Sequence, residues 1–421
     1  MRKNLRTAFL VFFIPLGGLF GTELTVPHLE LINRGRMEDG NFGISSAMEA
    51  DISLSGGYKY GITLGLGAEI PNLEKALSYG RLELPYASSS PVNETEYNAL
   101  VDELNGRYNN QAVISIRSLE AVIRDVFGKP FDISFFIGAN DKLGSGVEFE
   151  DHFGTVPVVT TLRGFFYYPD GLGAGYYRNP SLRFNGAIHQ VKGTGMAFTT
   201  TFWENVIPTL YLYQDLSFSE PHVPGRSYIP GHYSGDFKVL INTETVKFEV
   251  FAGLTYVNEE NPILRGGALA YFSSGPFSFL MQAGIPYWET GKRIDIDNCY
   301  FLMEPRLRFD KIGANLTFFY RPVYYMNKVI LDEHGGTDGG MADINLKVFY
   351  GNLARSAFEA GLEGTTTLRI HNGEDFSLWV SPFLSVATSG LLWDFKVRIN
   401  PLYYRDGGDL AEGFVGIRTS Y

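Results

Sequence analysis

Two segments, residues 304–308 and 394–398, place a charged residue at every second position. Alternate residues of an extended strand share one face, so each segment presents a row of charges of both signs. Such a row pairs with or repels ions, but it holds no nucleophile beside a base. The spacing therefore predicts a charged wall that selects solutes, as in a pore, and not a catalytic centre. The charges are Glu304, Arg306 and Arg308 in the first segment and Asp394, Lys396 and Arg398 in the second.

Further charged residues recur at the same period in other strand-like segments. They are Lys238, Lys247, Glu249, Asp343, Lys347, Glu359, Glu363, Arg369 and Arg418. Burial of an ion in a dry interior costs several kcal/mol, so this many charges predicts a water-filled lumen. The alternative is that they form salt bridges that only stiffen the wall. Three apolar rings predicted to share this face, Phe251, Phe319 and Phe349, suit a channel for apolar or sugar-like ligands instead.

Signatures of enzymes and of cofactor sites are missing from the sequence. The seven histidines show no metal-ligand spacing, there is no Gly-x-Ser-x-Gly elbow, and Cys299 is the only cysteine. The loop 332–340 gathers oxygen ligands and an imidazole, which makes calcium binding conceivable, but a solvated loop is the simpler interpretation. We therefore predict no enzymatic activity, no cofactor and no metal site.

Composition separates this chain from soluble and helical membrane proteins. Of 421 residues, 15 % are aromatic and only 19 % are charged, against about 25 % charged in typical soluble domains. The mean hydropathy of −0.04 is too polar for a helical membrane protein but fits strands with one lipid face and one wet face.

The first 21 residues are predicted to be a cleaved signal peptide. Arg2, Lys3 and Arg6 precede an apolar run over 8–19 that is too short to span a bilayer, and Gly21 is a suitable last residue. Removal of these three basic residues leaves 32 basic and 46 acidic residues, so the net charge becomes 32 − 46 = −14. A charge this negative argues against a nucleic-acid partner.

Alternation of polar and apolar residues predicts roughly eighteen strands, with fourteen to twenty compatible with the pattern. The predicted loops alternate long and short over the C-terminal half, but 168–180 is long on the side expected to be short. Residues 71–129 differ, because helical spacing at 97–104 and 119–127 predicts a partly helical insertion that plugs or caps a barrel. The alternative for 112–127 is one more strand with a bulge.

The last strand resembles the terminal signature strand of bacterial outer-membrane β-barrel proteins of the porin type. The features that carry the resemblance are the glycine, the alternating apolar residues and the final aromatic ring, namely Gly416, Ile417, Thr419 and Tyr421. The resemblance implies one antiparallel transmembrane barrel over residues 22–421, closed between its first and last strands. It also implies the outer membrane of a Gram-negative-type envelope, with membrane lipid and the barrel-assembly machinery as partners.

Three functions agree with these features. The first is a channel for passive passage of small hydrophilic solutes through a charged lumen. The second is a transporter of hydrophobic substrates, since size and insertion are similar to the long-chain fatty-acid transporter family, although that family's Asn-Pro-Ala hatch is missing near the N-terminus. The third is a surface adhesin or receptor that acts through the long loops 221–232 and 327–341.

Overall fold

The structure is a computed structural model of the chain. It describes residues 22–38, 41–70, 73–78, 101, 112–144, 188–215, 232–243, 245–257, 261–321, 341–353, 357–369, 376–403 and 411–419. The predicted signal peptide, residues 1–21, lies outside these ranges.

The described residues form eighteen strands in a single sheet, which confirms the predicted architecture. The strands are β1 (Thr22–Glu38), β2 (Asn41–Gly56), β3 (Tyr60–Ile70), β4 (Val113–Ile123), β5 (Phe131–Leu143), β6 (His189–Thr200), β7 (Val206–Asp215), β8 (His232–Asn242), β9 (Val246–Val257), β10 (Ile263–Ser274), β11 (Phe277–Glu289), β12 (Tyr300–Arg308), β13 (Ile312–Arg321), β14 (Met341–Gly351), β15 (Phe358–Arg369), β16 (Phe376–Thr388), β17 (Leu391–Ile399) and β18 (Ala411–Thr419).

Each strand pairs antiparallel with its neighbours in sequence, and the sheet closes between its two ends. β1 pairs with β2 on one side and with β18 on the other. The closing register places Glu30 opposite Arg418 and Ile32 opposite Gly416. Closure leaves neither β1 nor β18 as an open edge, as strands in lipid require.

The two faces of the wall differ in the way the alternation predicts. In β9, the side chains of Val250 and Leu254 are exposed on the outer face, whereas Glu249, Phe251 and Thr255 are buried on the inner face. The cross-strand pairs carry this alternation to the neighbouring strands, where Glu249 lies opposite Leu240 and Leu269. The outer surface is therefore apolar, and the mixed residues point inward.

Connections at one end of the barrel are all short, and those at the other end include the long ones. The short end holds 57–59, 124–130, 201–205, 243–245, 275–276, 309–311, 352–357 and 389–390. The other end holds 71–112, 144–188, 216–231, 290–299, 322–340 and 400–410, among others. Residues 168–180, for which the sequence predicts an exception to this alternation, lie outside the described ranges.

Part of the predicted insertion belongs to the wall. The helical spacing at 119–127 was wrong, because Val113–Ile123 forms β4 and pairs with β3 and β5. A register shift between Gly65 and Leu66 of β3 marks the bulge of the alternative interpretation. A short helix, α1 (Leu73–Ser78), follows β3, and Val101 is helical, whereas the remaining residues of 97–104 lie outside the described ranges. The plug or cap at 71–112 stays a prediction.

Across the residues that the structure describes, no helix has the length and apolar character needed to cross a membrane.

Closure predicts a strict requirement for the last strand. Deletion of residues 411–421 removes β18 and leaves unpaired edges on β1 and β17, so we expect no folded barrel in detergent. Gly416→Ala is the matched control, because the added methyl group would lie 3.6 Å from its nearest neighbour, Cβ of Asp394. Heat-modifiable electrophoretic mobility distinguishes folded from unfolded protein, and a folded deletion variant would contradict the requirement.

Candidate functional site: the inner face of the barrel

The charges predicted on β12, β14 and β15 lie together on the inner face as ion pairs. Glu359 of β15 accepts hydrogen bonds from Nη2 of Arg308 at 3.1 Å and from Nζ of Lys347 at 2.8 Å, so it links β15 to both β12 and β14. Nε of Arg306 donates to Glu304 at 2.6 Å within β12.

A second group of pairs extends around the wall to the closing strands. Nζ of Lys396 lies 2.5 Å from Oε2 of Glu363, and Nη1 of Arg398 donates to Glu412 at 3.1 Å. Glu412 also binds Arg34 of β1 across the closing pair. These contacts carry the charge network from β12 to β1.

Carboxylates and cations of this network differ in exposure. Glu304, Glu363 and Glu359 are only 0–5 % exposed, whereas the side chain of Arg308 is 49 % exposed. These carboxylates are therefore buried in the inner face, and the water-filled lumen stays a prediction for the interior as a whole. Each carboxylate pairs with the longer side chain of a cation, and the cation is the more exposed partner in each pair.

Aromatic rings support the cationic side chains from the same face. Nζ of Lys347 lies 4.3 Å from the ring centroid of Phe383 and 5.1 Å from that of Phe349. The guanidinium carbon of Arg398 lies 4.2 Å from the ring centroid of Trp379. At these distances the ring quadrupole attracts the cation, so the rings hold the positive groups in place.

The remaining predicted residues occupy separate positions. Asp394 accepts a hydrogen bond from Ser385, Lys247 lies at the start of β9, and Glu249 is buried where it accepts from the backbone N of Gly144 at 2.5 Å. Gly416 and Ile417 lie in β18. The side chains of Asp343, Arg418 and Thr419, and the whole of Tyr421, lie outside the description, as does the loop 332–340.

An apolar cluster fills the interior beside β5–β13. Phe251 and Phe319 belong to it and are 3 % and 0 % exposed, so both rings serve packing. Leu143 and Ile188, the residues at the two ends of the β5–β6 connection, are also fully buried in this cluster. Both ends of that connection therefore lie inside the barrel, a feature that periodicity does not reveal.

Ile188 fits against glycines on β10 and β11. A Cβ atom at Gly267 would lie 2.8 Å from Cδ1 of Ile188, and one at Gly284 would lie 3.1 Å from it. Only the lack of a side chain at these two positions allows Ile188 to approach β10 and β11 so closely.

A buried polar network on β7–β10 was not found from the sequence. Arg265 donates to both oxygens of Asp236, from Nε at 2.6 Å and from Nη2 at 2.7 Å. The hydroxyl of Tyr213 donates to Asp236 at 2.7 Å, and Arg265 also binds Thr255. Period two places Asp236 on the same face as Lys238, which was predicted to point inward, but the Gly-Gly pair after Arg265 obscures the alternation of β10.

The neighbouring charges Lys238 and Asp141 form a second buried ion pair, to which Tyr211 donates a hydrogen bond. Gly253 makes room for the first network, because a Cβ there would lie 1.8 Å from Oδ1 of Asp236. These groups pair with one another, so they form a buried polar cluster beside the apolar one.

The glycine contact predicts a steric effect on stability. Gly267→Ala places a methyl group against Ile188 and the carbonyl of Ala283, and we expect a loss of about 1–3 kcal/mol in unfolding free energy. Gly364→Ala is the control, because no described atom lies within 4 Å of the position that its added methyl group would take. Denaturant unfolding in micelles measures both, and Ile188→Ala should partly rescue Gly267→Ala. Equal stability of the two glycine variants would exclude the contact.

Loss of the buried Asp236–Arg265 ion pair is predicted to lower the unfolding free energy more than Gly267→Ala does. Asp236→Ala leaves the guanidinium of Arg265 buried without its carboxylate, at an expected cost of about 3–5 kcal/mol in unfolding free energy. The control is Glu289→Gln, which breaks the Lys292 pair on the surface and should not change stability measurably. Similar unfolding midpoints for the two variants would show that burial does not determine how much these ion pairs contribute to stability.

Comparisons with known proteins return structures only. No protein-family model and no curated protein matches the chain. OpdL of Pseudomonas aeruginosa is 13 % identical with a TM-score of 0.49, covering 94 % of this chain and 98 % of that one. OccAB4 of Acinetobacter baumannii is 10 % identical with a TM-score of 0.48, covering 95 % and 98 %. The low-pH structure of Pseudomonas putida OprB is 7 % identical with a TM-score of 0.40, covering 100 % and 98 %.

The strand pairing and the two faces of this chain define its class without these similarities. Eighteen antiparallel strands close on themselves, and their outer face is apolar. Closed barrels with an outward apolar face are how β-strands satisfy their backbone groups in lipid. The chain therefore folds as a transmembrane antiparallel β-barrel.

Proposed function

We propose that this protein is a channel for passive passage of small hydrophilic solutes along the charged sector of its inner face, β12–β18. The observation that carries the proposal is the difference in exposure between Arg308 and the carboxylates beneath it. Partly exposed cations supported by aromatic rings form a polar wall that a hydrated solute can contact.

We further propose that this sector favours solutes with negative charge. Three cations of the described network are partly exposed on the inner face. Their exposed side-chain fractions are 19 % for Arg306, 18 % for Lys347 and 15 % for Arg398. Their carboxylate partners are more deeply buried in every one of these three pairs. An entering anion therefore meets positive charge first, although the chain as a whole is acidic.

The alternative of a hydrophobic-substrate transporter has less support. It needs apolar side chains that a ligand can reach, but Phe251 and Phe319 are buried in the packed cluster. The long loops on which an adhesin would depend, 221–232 and 327–341, lie almost entirely outside the described residues, so that alternative gains no support here.

Charge selectivity in a planar bilayer tests the proposal. The refolded protein should give steady conductance steps with a reversal potential that favours chloride over potassium in a salt gradient. Arg308→Gln should reduce that preference, because it removes the most exposed cation of the network. Lys129→Gln is the matched control, with the same charge change on an exposed turn at the same end of the barrel.

Three results would count against the proposal. Absence of conductance from a folded barrel would exclude an open channel. A cation preference in the unmodified protein would contradict the anionic solute class. Equal shifts from Arg308→Gln and Lys129→Gln would show that surface charge, and not the inner wall, sets selectivity.

A further inference from the structure

The last residues of β5 leave the barrel wall on one side. β5 pairs with β4 only as far as Gly138, whereas its pairing with β6 continues to Leu143. Gly138 has a φ of +89°, a conformation that glycine tolerates, and a Cβ atom there would lie 2.1 Å from the carbonyl oxygen of Arg117. Among the residues that the structure describes, 139–143 therefore have no strand partner on the β4 side.

Asp141 lies in this segment and is held by two more distant strands. Its Oδ2 pairs with Nζ of Lys238 on β8, and the hydroxyl of Tyr211 on β7 donates to the same oxygen. Its Oδ1 accepts a hydrogen bond from the backbone N of Lys142 at 2.7 Å. Since β6 and β7 lie between β5 and β8 in the sheet, the contact requires that the end of β5 folds inward over the inner face.

Burial makes this pair different from an ion pair on a surface. Lys238 is 1 % exposed, Tyr211 is 4 % exposed and Asp141 is 9 % exposed. An ammonium and a carboxylate that are both removed from water lose their hydration. Transfer of one proton from Nζ to Oδ2 yields a neutral amine and a carboxylic acid, and a desolvated lysine amine is a nucleophile. Because Nζ contacts Oδ2, it is also adjacent to Cγ of the same carboxyl group.

We propose that Nζ of Lys238 forms an amide bond with Cγ of Asp141, which cross-links β8 to β5. The N–C bond forms and the bond between Cγ and Oδ2 breaks. Oδ2 leaves as water with two of the three ammonium protons, and the amide nitrogen keeps the third, so the step needs no further reactant.

The two other contacts of the carboxyl group suit this reaction. Tyr211 donates to Oδ2, the oxygen that has to be protonated before it can leave. The backbone N of Lys142 donates to Oδ1, the oxygen on which negative charge develops in the tetrahedral intermediate. The carboxyl group therefore has a proton donor on the leaving oxygen and a fixed donor on the oxygen that stays.

A second buried pair of a lysine and a carboxylate lacks this arrangement. Nζ of Lys396 lies 2.5 Å from Oε2 of Glu363, and the two side chains are 12 % and 4 % exposed. No hydroxyl group of the described residues donates a hydrogen bond to this Oε2. We expect this pair to stay ionic, so it provides an internal control.

The amide would compensate for the pairing that β5 lacks beside β4. Residues 139–143 begin the turn into the β5–β6 connection, and a covalent bond to β8 would fix that end of the connection to the wall. Solute passage plays no part in this argument, so the cross-link stands or falls separately from the proposed function.

Mass spectrometry of the full chain tests the cross-link. The unfolded protein should have the mass that its sequence gives, and folding in detergent should lower this mass by one water, because only the fold brings the two side chains together. Tryptic digestion should then yield one branched peptide that contains residues 141 and 238, and its fragmentation locates the amide.

Three variants separate the groups involved. Lys238→Arg keeps the positive charge but removes the amine, so this variant should keep its full mass. Lys396→Arg makes the same change in the control pair and should still lose one water. Tyr211→Phe should slow the loss of water about 10²-fold, the contribution of a positioned proton donor.

Heat-modifiable mobility shows whether each variant is folded. A folded, unmodified protein that keeps its full mass after prolonged incubation would overturn the proposal. Loss of water that persists in Lys238→Arg would also overturn it, because Asp141 would then have cyclised onto the backbone N of Lys142. If Lys238→Arg does not fold, absence of the branched peptide from the unmodified protein has the same consequence.

Discussion

Pairing of backbone amides governs this structure more than any side-chain contact. A strand in lipid has no water to satisfy its N–H and C=O groups, so each strand needs two neighbours. β1 therefore has to meet β18 as well as β2, and the register from Glu30 to Arg36 achieves this. Once the sheet closes, the period of two sorts every side chain to lipid or interior. The apolar outer face and the mixed inner face are both consequences of closure.

Inside the barrel, the same rule applies to side chains. Burial of a carboxylate costs free energy unless a cation or a hydrogen-bond donor pairs with it. The buried carboxylates named here have such partners. Asp236 is matched by Arg265 and Tyr213, and Glu359 by Arg308 and Lys347. Because the long cationic side chains extend past the carboxylates, the exposed groups of this network are mainly positive, although the net charge of the chain is negative. An acidic chain can thus have an inner wall whose exposed groups are basic.

Prediction from sequence succeeded where the period of two is unbroken. The strand count and the closure both follow from alternation and from the terminal strand. It failed at Val113–Ile123, since apolar residues at 119, 122, 123 and 126 also fit a helix, and only pairing with β3 and β5 decides between the two. Burial of Glu304 and the partners of Glu359 could not be predicted, because both depend on contacts between strands.

Arg117 and Asp141, which sequence reasoning missed, share a structural cause. Register shifts occur in β1 at His28, in β4 around Arg117 and in β5 just before Lys142, beside Asp141. At each shift the period of two changes phase, so a search that follows alternation assigns the next polar residue to the wrong face. The same change of phase lets residues from different strands converge. Arg117 reaches Glu49, and Asp141 reaches Lys238 and Tyr211. The bulges that defeat a periodic analysis therefore position ion pairs that alternation alone does not predict.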